Sequence, residues 1–301
     1  MFALLTDVSI PEGYEYLLDK TMPFTALSYS IVSILLMIAV MVVGSIIIRK
    51  KYKGSFITLF SGVSIYMLFN YFLAAIISAF IPDFNIAFNI ILTALVSSFL
   101  PFMGRLVIIK LFSRQYTGLK EHLSYGLGIM DMKAITTLLV FIVPIANYIQ
   151  INQNGVAALF PAELEAEVAL ERAKSIVTMF EYDYSQCMLM AIISIAMMVH
   201  YVAISIPIYA AFTGKKSKGW FAFAFGTSFL AALGDVMFNN DVLGLVAILL
   251  VVVVAGVNVY FAVKLYKELG DDEETPQDTN SGDISRYAHT KIPKFNNLDK
   301  L

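Results

Sequence analysis

The chain has 301 residues, of which 58% are hydrophobic and only 15% charged, with a formal net charge of −2 and a mean hydropathy of +0.75. That is the composition of a multi-pass membrane protein whose first partner is the lipid bilayer, and nothing in the charge balance points to nucleic acid. The single cysteine, Cys187, excludes an internal disulfide and a cysteine-rich metal site.

Residues 1–24 carry Asp7, Glu12, Glu15 and Asp19 in place of the basic start and apolar core of a cleavable signal, so they are expected to form an extracytoplasmic segment. Seven apolar stretches follow, near 25–48, 55–80, 86–112, 123–146, 186–212, 219–238 and 242–265. Each is long enough to cross a hydrocarbon core of about 30 Å as a helix of roughly 20 residues. Unbroken apolar runs exclude barrel strands, which alternate polarity. The expected fold class is all-α, a polytopic bundle of about seven transmembrane helices over residues 25–267.

Charge sets the expected orientation. Arg49, Lys50, Lys51 and Lys53 follow the first span, Arg114 and Lys120 the third, Lys215, Lys216 and Lys218 the fifth, and Lys264 and Lys267 end the seventh. The remaining connections are acidic or neutral. The basic connections share one side only if the amino terminus is outside and the carboxyl terminus cytoplasmic.

The third span contains Arg105, and the fourth contains Tyr125 to Ala134 with Asp131 and Lys133 at membrane depth, where a charge is costly and marks a structural or functional task. Counted from the cytoplasmic ends of the predicted spans at about 1.5 Å per residue, Arg105 lies roughly 10 Å and Asp131 roughly 12 Å deep. This predicts an Arg105–Asp131 ion pair, the alternative for Arg105 being to snorkel toward the headgroups. Lys133 lies deeper and needs a carbonyl, water or carboxylate. Asp235, in the sixth span, is placed about 9 Å nearer the outer surface on the same rise and is expected to be a poor mate for Lys133.

The outer connection, 147–185, contains an expected helix near 161–180 that begins at Pro161. Ala162, Ala166, Ala169, Ala173, Ile176 and Phe180 form one stripe, and Glu163, Glu167 and Glu171 lie on another face. It either caps the bundle or docks an external peptide. In the fifth span, His200 is read either as a neutral histidine bonded between helices or as a binding or proton-relay group. Gly226, Ala231, Ala232 and Gly234 in the sixth span permit close helix approach. Residues 268–301 read as a disordered cytoplasmic tail, with Asp271, Asp272, Glu273 and Glu274 ahead of a basic end.

The run Tyr52, Lys53, Gly54, Ser55, the fourth-span motif and Pro161, Ala162, Glu163 before a fifth span together resemble the YhfC-type family of predicted intramembrane proteases. The resemblance covers residues 30–265 in order and spacing, and it implies a bacterial plasma-membrane protein and a peptidase ancestry. The implied catalytic positions are substituted. Pro101 and Phe102 stand where the family has two Glu before Arg105, and Ile129 and Lys133 stand for the His and Glu of its F/Y-G-x-G-H-G-G-x-E-A pattern. In the sixth span Ala231 replaces a His, leaving Asp235. The arrangement also resembles the APH-1 subunit of gamma-secretase, a non-catalytic scaffold.

Hydrolysis needs a base and an activated water, and these substitutions remove the paired carboxylate and histidine. His122 is expected near the cytoplasmic surface and His289 lies in the tail, so no zinc site and no other cofactor are expected. Retinal chemistry fails for want of a mid-span lysine in the seventh span, which has Asn258. The expected function is a non-catalytic membrane protein that scaffolds or binds another membrane protein or a peptide. The alternative is an active protease with a rearranged site of Asp131, His200 and Asp235. Arg105, Asp131, Lys133, His200 and Asp235 are the candidate intramembrane polar residues.

Overall fold

The computed structural model describes residues 10–52, 54–79, 85–113, 116, 118–160 and 164–270. Within them the chain is helical, with no strand. The elements are α1 (Phe24–Tyr52), α2 (Phe56–Tyr66), a π-helical segment (Met67–Leu73), α3 (Ala74–Ala79) and α4 (Ile86–Leu111). There follow α5 (Leu119–Asn154), α6 (Ala166–Glu181), α7 (Ser185–Ala203), α8 (Ser205–Phe212), α9 (Gly219–Asn239) and α10 (Gly244–Gly270). Seven helical stretches among the described residues are long and apolar enough to cross a membrane, with α2 to α3 forming the second and α7 with α8 the fifth.

Side-chain caps set two of the helix starts. The Ser55 Oγ accepts from the Ile57 N–H at 3.2 Å, and the Asn85 Oδ1 accepts from the Phe88 N–H at 2.9 Å. Each satisfies one of the donors that a helix start leaves without a partner.

The apolar surface faces outward as much as inward. Leu35, Val43, Leu139, Leu245 and Val253 are all more than half exposed. In the most apolar window of α1 only 17% of residues are buried. A surface of that kind is stable in hydrocarbon and not in water.

The long helix α5 is the centre of the bundle, packed against α1, α2, α7 and α8, while α9 packs between α4 and α10. Glycines make the central packing possible. A Cβ on Gly62 would collide with the Tyr125 carbonyl, and one on Gly128 with the Leu59 carbonyl, so α2 and α5 approach backbone to backbone through a reciprocal pair. On another side of α5, Gly126 faces Ser205 Oγ and the Tyr201 carbonyl. Small residues allow such close approach between membrane helices, where dispersion and short polar contacts hold the packing.

At the end of α5 marked by Asn152, the chain preceding α1 is clamped down. The Met22 N–H donates to Asn152 Oδ1 at 2.8 Å, and Asn152 Nδ2 donates to the Met22 carbonyl at 3.2 Å. Helix α6 covers this end, burying Ala169, Ala173 and Ile176 of the expected stripe with Phe180 partly buried, while Glu167 and Glu171 are exposed. Its Arg172 donates to the Leu159 carbonyl at 2.6 Å. The expected start at Pro161 lies outside the described residues, as do Lys53, Arg114, Glu163 and the tail from 271. At the opposite end of the bundle stand Arg49, Lys50, Lys51, Lys120, Lys215, Lys216 and Lys267, and Lys216 pairs with Glu268 at 2.6 Å.

Candidate functional site

Two residues apart on one helix, Asp131 and Lys133 are about 200° apart around its axis. They therefore face different neighbours. Asp131 faces α1, where Ser45 Oγ donates to its Oδ1 at 3.1 Å. Lys133 faces α9, and its Nζ lies 3.3 Å from Asp235 Oδ2, with side chains only 15% and 24% exposed.

These placements correct two expectations. The Arg105–Asp131 pair does not form, and Asp235 is the carboxylate that Lys133 uses. Depth measured from the observed helix ends gives the reason. Helix α5 begins at Leu119 and α9 at Gly219, so Lys133 and Asp235 lie 14 and 16 residues in, about 21 and 24 Å along the two axes. On the same count Asp131 is about 18 Å in, whereas Arg105 is about 9 Å from the Leu111 end of α4.

Arg105 is buried, 2% exposed. Its Nη2 donates to the His122 carbonyl at 3.3 Å and its guanidinium lies 4.8 Å from the Tyr125 ring centroid. Nε and Nη1 are buried without a protein partner. The residue borders a cavity of about 30 Å³ with Ser97, Ser98, Pro101, Tyr201 and Ser228. That volume holds one water. Pro101 also removes the N–H that would bond the Ser97 carbonyl, which adds an acceptor to the cavity wall.

His122, expected near the surface, is fully buried against the edges of Tyr116 and Tyr209. The aromatic rings shield it although it sits in the first turn of α5.

His200 joins α7 to α9 and α10 with no exposure. Its Nε2 is 3.2 Å from Ser228 Oγ and its Nδ1 is 3.1 Å from Asn258 Nδ2. The single Ser228 proton goes to the Ala224 carbonyl at 2.7 Å. Proton inventory therefore assigns the neutral Nε2–H tautomer, with Nδ1 accepting from Asn258. Thr227 Oγ1 closes the network on Asn258 Oδ1 at 3.1 Å. Thr227 and Ser45 are the partners that sequence reasoning passed over, and it did not link Asn258 or Ser228 to His200. An asparagine inside the valine-rich run of α10 was the available signal.

Asp131, His200 and Asp235 thus have three separate sets of partners and no hydrogen bond to one another. Among the described residues no group of three His, Cys, Asp or Glu side chains could hold a metal ion. Cys187 is buried, with Ser30 Oγ 3.9 Å from its sulfur. A lateral groove of about 800 Å³ opens between α1 and α10, floored by α5 and α7.

Fold and site together define a helical membrane bundle in which Asp131, Lys133, His200 and Asp235 are bonded between helices. No family model, curated protein or solved structure matches the chain.

Proposed function

We propose that the protein is a non-catalytic membrane protein that scaffolds or binds another membrane protein or a peptide. The observation that supports this reading is that the three candidate catalytic groups are each bonded to a different neighbour and not to one another. Asp235 faces an ammonium, the free lone pair of His200 is taken by Asn258, and Asp131 accepts from Ser45. Groups that act together on one water must converge on it, and these three are held apart by Ser45, Asn258 and Lys133 on different helices. The order of features shared with the YhfC-type family is consistent with a bundle that has kept its architecture after losing its chemistry.

In this reading the Lys51 end of the bundle faces the cytoplasm, because the basic residues gather there, and the α6 cap and the amino-terminal segment lie outside. The membrane is a bacterial plasma membrane, on the strength of the family resemblance. The test is purification of the full chain from its native membrane in mild detergent, followed by mass spectrometry of what is retained. The expected result is a defined membrane protein at stoichiometric level. Isolation of the chain alone under conditions that preserve its fold argues against a scaffold.

A further inference from the structure

We propose that the groove between α1 and α10 is a binding site for one anionic phospholipid, with an acyl chain along the groove and the headgroup phosphate on Lys51 and Lys267. The groove holds about 800 Å³, and Lys51 and Lys267 are its only charged lining residues. Its walls are aliphatic, with Val43 and Ile47 on α1 and Val259 and Val263 on α10. Leu123 and Met130 of α5 contribute to the floor.

Two features fix the occupant's chemistry. The first is polarity along the groove. It is apolar over its length and cationic at one end, the distribution of a lipid in its own leaflet. Lys51 Nζ lies 5.2 Å from the Tyr266 ring centroid, so the basic end is also where the two walls meet. The adjacent Arg49 and Lys50 are exposed at the same level and add to the positive field. Basic pockets at the ends of membrane helices recognise anionic headgroups in this way. The second feature is that Gly44 leaves the α1 wall without a side chain at the middle of the groove. A Cβ there would come within 3.1 Å of the flexible end of Met130.

The experiment is native mass spectrometry of the full chain released from mixed micelles containing equimolar phosphatidylglycerol and phosphatidylcholine with identical acyl chains. The expected result is one retained phosphatidylglycerol per chain. The double variant Lys51→Gln/Lys267→Gln should lose about 25-fold of that preference, roughly fivefold for each lysine. Gly44→Leu should reduce retention of either lipid while the protein stays monodisperse. The proposal is overturned if both lipids are retained equally by the unaltered chain. It is also overturned if glycerophosphate lacking acyl chains competes as well as the lipid, or if Gly44→Leu retains phosphatidylglycerol unchanged, because either result leaves the groove without a role.

Discussion

Lys133 on α5 and Asp235 on α9 form an ion pair of 3.3 Å across the middle of the bundle, between the fourth and the sixth spans. Helices α5 and α9 are otherwise linked through α7, α8 and α10, so this pair ties together the two halves of the bundle directly. Removing one partner leaves a charge with no counter-ion, at a cost of about 2–3 kcal/mol for a partly buried pair. Lys133→Met and Asp235→Leu should each lower the melting temperature in detergent. The double variant should recover most of the loss, with a coupling energy above about 1 kcal/mol. Additive losses would mean that the pair is incidental.

Asn258 is bonded at both ends of its side chain, to His200 and to Thr227. Interhelical hydrogen bonds in membranes are worth about 0.6 kcal/mol on average and up to about 1.7 kcal/mol. Asn258→Leu should therefore cost about 1–2 kcal/mol, because it leaves the buried His200 Nδ1 without a donor, while Thr227 keeps the Phe223 and Ala224 carbonyls. Ser228→Ala should cost less, since His200 keeps Asn258. Thermal unfolding followed by tryptophan fluorescence measures both, with Trp220, in the first turn of α9, as the single reporter.

The central crossing supplies a steric prediction. Gly62→Val and Gly128→Val place side-chain atoms against backbone carbonyls of the facing helix, which cannot move aside as a flexible side chain can. Both should fail to give monodisperse protein. Gly226→Ala meets nothing within 4 Å and should be neutral or slightly stabilising, since alanine is the better helix former. Size-exclusion chromatography of the three variants separates the cases.

Arg105 keeps two nitrogens, with three N–H groups, without protein partners beside a cavity with room for one water. A buried charge in that condition is a poor source of stability, and an apolar side chain of similar length can replace it. Arg105→Met should stay within about 1 kcal/mol of the unaltered protein, whereas Arg105→Ala should cost about 2 kcal/mol or more by enlarging the cavity. The order of the two melting temperatures is the readout.

The seven spans were legible because hydropathy alone reports them, and the α6 stripe was legible because Ala169, Ala173 and Ile176 recur at helical spacing. The pairing of polar residues was not. Depth along a helix is only one coordinate, and it was counted from position 123 although α5 starts four residues earlier, at Leu119. That offset of about 6 Å moved Lys133 to the level of Asp235 and separated Asp131 from Arg105. The second coordinate is the direction a side chain faces around its helix. It depends on which helices are neighbours, and those neighbours follow from Gly62, Gly126 and Gly128. In sequence Gly126 and Gly128 resemble part of a catalytic motif, whereas here, with Gly62, they set how closely α5 approaches α2 and the α7–α8 junction.

The most direct test of a non-catalytic bundle uses the Lys133→Met/Asp235→Leu variant, which removes both charges while keeping the helices packed. Membranes carrying the unaltered chain, the variant or neither are compared by mass spectrometry for shortened fragments of other membrane proteins. The account predicts the same fragment profile in all three and a partner that co-purifies with both forms. Fragments that accumulate with the unaltered chain and vanish with an equally stable variant would contradict it, and would make Asp235 a catalytic carboxylate.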